Sequence, residues 1–360
     1  MPGPLLFPDF VIPDDEEARK AAMVRLVADS VPEFKGCTVD DCVVSVLSGG
    51  ITNQLCRVKH AETKFSVVAR VFGKETERLI SRAAEQFWQE AFLRTYARCA
   101  NGLVYEFLEG YVALEPSDCE AHRDQIASEL ARLHTSAAAR ALFHVPFGTQ
   151  ADFAQVALTD WVASGTSEEA LKRVLERGHS VTAHYGDLDA FQGHAAELLR
   201  RIRAVAGVVP VVPCHNDLLS LNIMLSRETG AVRFIDFEYM RRNFYLADLA
   251  NHFCEYAGFE CEWEKLPSVE YQRAFLAKYL ETAMADAPAD EVAAALERGM
   301  QLLPLFALLA HYVWAAWALV QGAFSVIDFD YVSFGGKRYQ RFLETYPAAY
   351  AAAEAVAAPK

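Results

Sequence analysis

The most informative segments of the chain are CHNDLLSLNIML at residues 214–225 and VRFIDFEY at residues 232–239. The apolar run before it, residues 208–214, predicts a strand that leads into a polar loop. Two further short apolar runs, 222–225 and 232–237, predict a hairpin directly after that loop. The loop therefore carries an aspartate and an asparagine five residues apart, and another aspartate lies near the end of the hairpin.

These three side chains, Asp217, Asn222 and Asp236, suit the transfer of a phosphoryl group. That reaction needs one carboxylate near the acceptor hydroxyl and oxygen ligands that hold Mg²⁺ on the phosphates. Asp217 can serve the hydroxyl, while Asn222 and Asp236 can bind the metal, in the order that kinases use. The structural alternative is a polar loop with Asp and Asn as turn residues. A second acid on a nearby strand argues against that alternative.

Several further residues extend the pattern of the loop and hairpin. The segments in question are Cys214-His215-Asn216-Asp217, Asn222-Ile223, Ile235-Asp236-Phe237-Glu238-Tyr239, Asn243, Asp248 and Ala250-Asn251-His252-Phe253-Cys254-Glu255. In these segments the sequence resembles the choline/ethanolamine kinase family, and the resemblance extends over residues 48–342, most densely over 214–255. It implies an α+β, two-lobed, protein-kinase-like fold with a small β-rich N-terminal lobe and a larger, mostly helical C-terminal lobe. We expect residues 1–109 to bind the nucleotide and residues 110–360 to hold the catalytic and substrate-binding groups.

The resemblance also implies site residues and cofactors, which are ATP and Mg²⁺. Asp217 would be the catalytic base, and Asn222 and Asp236 the metal ligands. A glycine-rich loop between two predicted strands would cover the nucleotide, since glycine lets backbone N–H groups approach phosphate oxygens. On its own, such a loop is more often a hairpin turn. The implied nucleotide-binding residues are Ser48, Gly49, Gly50, Thr52, Asn53, Arg70, Glu90 and the hinge residues Glu106, Phe107 and Leu108.

Two of these nucleotide-site residues have alternatives. Without the resemblance, Arg70 would be interpreted as an exposed strand arginine. With it, Arg70 contacts phosphates and pairs with Glu90 on the helix predicted over residues 79–98, as a lysine–glutamate pair does in kinases. Glu85 lies on the same predicted helix and is the other candidate for this pairing.

An acceptor with an ammonium group wants carboxylates and aromatic faces. By the resemblance, Glu238 and Glu255 supply the carboxylates, and Trp314, Trp317 and Phe334 the aromatic wall. The two tryptophans are three residues apart and so share a helix face. Their alternative role is core packing in an apolar helix, which would be favoured without the resemblance.

The acceptor favoured by subfamily resemblance is ethanolamine, whose phosphorylation opens the phosphatidylethanolamine branch of phospholipid synthesis. Segments 49–53, 216–219 and 255–259 resemble ethanolamine kinases more than choline kinases. A primary ammonium can donate three hydrogen bonds, whereas a quaternary one relies on cation–π contacts. The alternatives are a choline kinase, a dual choline/ethanolamine kinase and, more remotely, an aminoglycoside-type phosphotransferase. A binding-only scaffold is disfavoured, since the three core residues are intact.

Length and composition limit the remaining possibilities. A chain of 360 residues is too long for one compact core, so two lobes are expected. The net charge of -14 argues against nucleic-acid and anionic-membrane partners. The cysteines are scattered without a CxxC pair, and residues 1–15 are proline-rich and acidic, unlike a signal peptide. A cytoplasmic location follows as an expectation, and the family resemblance suggests a homodimer.

One segment tests this expectation. Residues 302–320 carry no formal charge and are long enough to span a membrane. Pro304, His311 and two central tryptophans favour instead a buried helix of a large lobe. We therefore expect no stable membrane insertion.

Overall fold

The α+β class predicted for the chain is confirmed: strands dominate the N-terminal part and helices the C-terminal part. The chain divides into two compact units, Met1–Tyr111 and Val112–Lys360. The roles expected of residues 1–109 and 110–360 remain predictions. The structure, a computed structural model, describes residues 3–47, 53–73, 78–136 and 151–357.

The first unit is built on a six-stranded sheet. Its strands are β1 (Leu5–Phe7), β2 (Cys42–Leu47), β3 (Asn53–His60), β4 (Ser66–Phe72), β5 (Thr95–Cys99) and β6 (Gly102–Glu106). They lie in the order β1-β5-β6-β4-β3-β2, with β1 parallel to β5 and the other neighbouring strands antiparallel. Helix Glu16–Ser30 packs Met23, Leu26 and Val27 into the core of this unit.

A second helix of this unit, Arg82–Phe92, is shorter than predicted. Ser81 caps its start by accepting a hydrogen bond from the backbone N–H of Ala84. The prediction of a helix over residues 79–98 is wrong at its C-terminal end. Residues 95–99 form β5 instead, because this strand pairs with both β1 and β6 and buries Tyr96, Ala97 and Cys99.

The second unit contains short strands that frame the loop singled out by the sequence. β8 (Val211–Cys214) pairs antiparallel with β11 (Arg241–Phe244). β9 (Ile223–Ser226) and β10 (Val232–Phe234) form the predicted hairpin, with β7 (Tyr111–Ala113) on the other side of β9. The loop with Asp217 and Asn222 therefore runs between β8 and β9.

Helices make up most of the described remainder of the second unit. The described part of residues 135–205 is largely helical. The longer helices are Arg123–Thr135, Glu168–Glu176, Leu188–Ala204, Tyr245–Cys254, Val269–Ala283, Ala289–Phe324 and Tyr331–Ala357.

Helix Ala289–Phe324 is apolar enough to cross a membrane by length and composition, with a mean hydropathy of 1.7 over its most apolar window. That window is 89% buried inside the protein, against helices Tyr245–Cys254, Val269–Ala283 and Tyr331–Ala357. The burial favours a core helix, as expected for residues 302–320.

The alanine-rich C-terminal segment is more ordered than its composition suggests. The sequence predicts a frayed or disordered end over residues 348–358, but helix Tyr331–Ala357 continues through nearly all of it. Ala349, Tyr350 and Ala353 are buried, so packing stabilises this part of the helix.

Candidate active site

The backbone of the β8–β9 loop is held by Asn216. This residue has a φ of 65°, in the left-handed region that asparagine tolerates better than most residues. Its Nδ2 donates to the carbonyl oxygens of Cys214 and Tyr239, both at 3.0 Å. Its Oδ1 accepts from Nδ2 of Asn243, on β11, at 2.8 Å. Asn216 thus fixes the chain on the N-terminal side of Asp217.

The buried carboxylate of Asp248 also holds this loop. Its two oxygens accept the backbone N–H groups of His215 and Asn216, both at 2.6 Å. Nε2 of His134 lies 3.0 Å from the same side chain, and Nδ1 of His134 lies 2.8 Å from the hydroxyl of Tyr279. Because a carboxylate only accepts, Nε2 of His134 donates to Asp248. The buried charge is therefore fully engaged in positioning the loop.

Asp217 and Asn222 lie in contact. Nδ2 of Asn222 donates to the backbone oxygen of Asp217 at 2.9 Å and lies 3.4 Å from its carboxylate. Burial raises the pKa of Asp217 well above its usual value. The negative charges of Glu255, Asp236 and Glu238, in that order, raise it further. Asp217 therefore belongs to a cluster of like charges.

Asp236 is placed beside this pair by the backbone. The N–H of Ile235 donates to the backbone oxygen of Asn222 at 3.0 Å. Asp236 itself has a φ of 63°, a strained conformation that aspartate tolerates better than β-branched residues do. The structure thus brings together the three residues expected to serve catalysis and metal binding; the roles assigned to them remain predictions.

The histidines of this region are structural. Nε2 of His215 lies 2.9 Å from the backbone oxygen of Ile235, and Nδ1 of His252 lies 2.9 Å from that of Leu218. Burial lowers the pKa of both imidazoles, that of His252 to about 4. Both rings are therefore neutral donors that orient the loop.

Glu255, expected to face a substrate amine, lies at the end of helix Tyr245–Cys254. Its Oε1 accepts a hydrogen bond from Nη2 of Arg338 at 2.9 Å. Glu238, the other expected carboxylate, is buried. Burial raises the pKa of the Tyr239 hydroxyl well above its usual value, and the charge of Glu238 raises it further.

The expected aromatic wall is a buried cluster with satisfied polar atoms. The rings of Trp314 and Trp317 lie 5.4 Å apart, edge to face. Nε1 of Trp314 donates to Oδ1 of Asn251 at 2.7 Å, and Nε1 of Trp317 donates to the hydroxyl of Tyr239 at 2.8 Å. Phe334 lies 6.4 Å from Trp317, centroid to centroid. The cluster is thus tied to the segments that follow Asp236.

The first unit contains a buried ion pair, but not the one predicted. Nη2 of Arg70 lies 2.6 Å from Oε1 of Glu85, and the two side chains are 2% and 0% exposed. The prediction of Glu90 as the partner is wrong, because Glu90 pairs with Arg98, and this pair is only partly buried. Five residues along a helix correspond to a rotation of about 140°, so the two glutamates face different ways. The interpretation of Arg70 as an exposed strand arginine is also excluded.

The other residues expected at the nucleotide are placed as follows. Glu106 ends β6 and accepts from the backbone N–H of Arg94 at 3.0 Å. The guanidinium of Arg57 lies 4.0 Å from the ring centroid of Phe107, and the backbone oxygen of Leu108 accepts from Tyr111 at 3.3 Å. Residues Ser48, Gly49, Gly50 and Thr52 lie outside the described residues, as does the side chain of Asn53.

Sequence reasoning assigned no role to several residues that build this site. An acid within an apolar helix pattern is the signal that could have marked Asp248, because such a charge must be paired. Tyr239 and Asn251 belong to the motifs quoted above, but no sequence pattern indicates that they bind the indole nitrogens of the two tryptophans. Arg338 lies outside every motif and gave no signal.

The class of protein follows from the combination of fold and loop. Protein-kinase-like phosphotransferases carry an aspartate and an asparagine five residues apart, with a metal-binding acid after the next strands. This chain has that order on the β8–β10 segment of its second unit, and its first unit contains a buried arginine–glutamate pair. It is a phosphotransferase of the protein-kinase-like fold.

Comparison with known proteins identifies the family. The chain belongs to the choline/ethanolamine kinase family, whose sequence profile matches residues 44–343. It is 31% identical to "Probable ethanolamine kinase A" of Dictyostelium discoideum, over 88% of each chain. It is 31% identical to ethanolamine kinase 2 of Rattus norvegicus, over 96% of this chain and 87% of the relative. The solved structure of an ethanolamine kinase from Plasmodium vivax superposes with a TM-score of 0.73 at 26% identity, covering 91% of this chain and 89% of that one.

Proposed function

We propose that this chain transfers the γ-phosphoryl group of ATP to the hydroxyl of ethanolamine, forming phosphoethanolamine and ADP. The observation that carries the proposal is the buried contact between Asp217 and Asn222 within a cluster of further acids. A carboxylate at the acceptor hydroxyl and oxygen ligands for a metal are the two needs of this reaction. The same acids suit an acceptor that carries a positive charge.

Asp217 is the proposed base. Its loop is held on both sides by hydrogen bonds, from Asn222 after it and through Asn216 before it. Such positioning matters more than covalent chemistry in phosphoryl transfer. Asp217 would accept the proton of the ethanolamine hydroxyl as the oxygen attacks phosphorus.

The residues present fit a magnesium ion. Burial and then the repulsion of neighbouring acids raise the pKa of Asp217, and a divalent cation among these acids would relieve that repulsion. Asn222 and Asp236 would hold the ion, since amide and carboxylate oxygens are its preferred protein ligands. When bound, the ion would neutralise charge on the phosphates of ATP. For the nucleotide itself, we propose that Arg70, fixed by Glu85, contacts phosphate oxygens and that the backbone at residues 106–108 receives the adenine.

The amine would lie near Glu255 and Glu238, with Trp314 and Trp317 as the aromatic wall. A primary ammonium can use both the carboxylates and the rings, whereas choline can use only charge and rings. Gly258 has a φ of 61°, a conformation that an aromatic side chain rarely adopts. This position therefore disfavours the extra aromatic residue that choline kinases carry in this stretch.

The names of the relatives support the same acceptor. The curated relatives from Dictyostelium, Rattus and Homo and the Plasmodium structure are all named ethanolamine kinases. Choline is the second candidate, favoured by the intact tryptophan pair at 5.4 Å. A cytoplasmic location and a homodimer stay predictions.

The test is ADP release with Mg²⁺-ATP and a series of acceptors: ethanolamine, its mono- and dimethylated forms, choline and an aminoglycoside. We expect kcat/KM to be highest for ethanolamine and to fall with each added methyl group. A higher kcat/KM for choline would reassign the enzyme as a choline kinase. Turnover of the aminoglycoside alone would refute the proposal.

A further inference from the structure

Arg338 is a buried cation next to the proposed amine site. Its side chain is 1% exposed, and its Nη2 donates to Oε1 of Glu255 at 2.9 Å. The guanidinium also lies 5.2 Å from the ring centroid of Phe334 and 5.8 Å from that of Trp263. Within the described ranges, its Nε and Nη1 have no hydrogen-bond partner. Because an unpaired buried guanidinium is very costly, the contact with Glu255 is what balances this charge.

The contact leaves half of the Glu255 carboxylate available. Arg338 binds only Oε1, and no described residue donates a hydrogen bond to Oε2. The Glu255 side chain retains 12% exposure, so Oε2 can accept a hydrogen bond from a ligand. A carboxylate held by one oxygen has a restricted orientation, and this restriction lowers the entropic cost of binding a ligand.

Glu255 is also close to the reacting centre. His252, three residues before Glu255 in the chain, places it there, because Nδ1 of His252 lies 2.9 Å from the backbone oxygen of Leu218, the neighbour of Asp217. Asn251, one helical turn before Glu255 and on the same face, accepts a hydrogen bond from the indole nitrogen of Trp314 at 2.7 Å. The carboxylate therefore lies within the same region as the base and the aromatic wall.

We propose that Arg338 is a positioning residue that determines substrate specificity: by binding Oε1 of Glu255, it presents Oε2 to an N–H of the substrate ammonium. This inference rests on the proposed function. A primary ammonium gains the hydrogen bond to Oε2, whereas a quaternary ammonium has no N–H to donate. Arg338 thus favours ethanolamine over choline without touching either.

The matched control is Arg341 on the same helix. Its guanidinium also lies 5.8 Å from the Trp263 centroid, and its Nη1 lies 3.3 Å from Glu344. Among the described residues it makes no contact with Glu255. Arg341→Met therefore removes the same charge and a similar packing contact, but leaves the Glu255 carboxylate held.

The experiment measures kcat and KM for ethanolamine and for choline in wild type, Arg338→Met, Arg338→Lys, Arg341→Met, Glu255→Gln and the double variant Glu255→Gln/Arg338→Met. The decisive quantity is the selectivity ratio, kcat/KM for ethanolamine divided by that for choline. This ratio does not depend on the fraction of active enzyme, so partial misfolding cannot imitate the effect. Arg338→Lys keeps the charge and provides a second variant if the methionine variant accumulates poorly.

We expect Arg338→Met to lower the selectivity ratio by about 10- to 100-fold, the usual effect of one hydrogen bond between charged groups. The change should appear mainly in KM for ethanolamine, since the ammonium is remote from the transferred group. Arg338→Lys should restore part of the ratio, and Arg341→Met should leave it within about 2-fold. In the Glu255→Gln background, Arg338→Met should change it no further.

An unchanged selectivity ratio in Arg338→Met would overturn the inference. The same decrease of this ratio by Arg338→Met in the wild-type and Glu255→Gln backgrounds would overturn it as well. Wild-type enzyme that fails to phosphorylate ethanolamine would instead refute the proposed function, and the inference with it. Wild-type activity with an unaffected ratio would refute only the role of Arg338.

Discussion

Replacing Glu85 by glutamine should destabilise the protein far more than the same replacement at Glu90. The Arg70–Glu85 pair is 2.6 Å long and almost fully buried, and Nη1 of Arg82 lies 2.7 Å from the other oxygen of Glu85. Removing one partner of a buried ion pair costs about 3–5 kcal/mol, because the remaining buried charge loses its nearest opposite charge. Glutamine retains a hydrogen-bond acceptor, so we expect a loss of about 3 kcal/mol.

Glu90→Gln is the matched control, on the same helix and with the same change of atoms. Glu90 and its partner Arg98 are 26% and 27% exposed, and such a pair contributes at most about 1 kcal/mol. The measurement is urea unfolding of the full chain followed by circular dichroism. The free energy of unfolding is extrapolated to zero urea after checking that the m-value is unchanged. KM for ATP should rise in Glu85→Gln only, because Arg70 loses the partner that orients it.

Two outcomes would refute this reasoning. Equal losses in the two variants would mean that burial does not distinguish the pairs. A loss below about 1 kcal/mol in Glu85→Gln would mean that the Arg70 guanidinium finds compensation without Glu85.

Three further predictions concern the second unit. Asp217→Asn should lower kcat by about 10²- to 10⁴-fold with an unchanged unfolding midpoint, because it removes the proposed base but keeps its shape; near wild-type turnover would contradict the assignment. Asp236→Asn keeps a residue that tolerates the left-handed φ of 63°. The variant should raise the Mg²⁺ concentration needed for half-maximal rate at saturating ATP, because it removes a charged ligand of the proposed metal site. An unchanged Mg²⁺ titration would count against the role of Asp236 as a metal ligand. His252 has a pKa of about 4 when folded and 6.5 as its usual value, so the unfolded chain binds the proton first as the pH falls. This residue therefore destabilises the folded chain as the pH falls from 6.5 to 4, by about 2 kcal/mol between pH 7 and pH 5. In urea titrations at several pH values, His252→Asn should reduce the pH dependence of the free energy of unfolding by that amount. The same pH dependence in wild type and variant would refute the assigned cause.

Local pattern was sufficient where the interacting groups are close in sequence. The β9–β10 hairpin and the Asp217–Asn222 contact span few residues, and turn chemistry and alternation of apolar residues specify them. The helix over residues 82–92 was recognised but its end was misplaced, because the pairing of β5 with two other strands overrides local preference.

The order of the residues was enough to predict the fold class, the core residues 217, 222 and 236, and the family to which they point. The folded chain was needed to show which glutamate Arg70 binds, which carboxylate supports the β8–β9 loop and which cation holds Glu255. Arg338 and Glu255 are 83 residues apart, and Asp248 is 33 residues from the amide of His215 that it accepts. Such pairs depend on how helices rotate and pack against each other, and the periodicity of one segment carries no information about the residue that faces it from another.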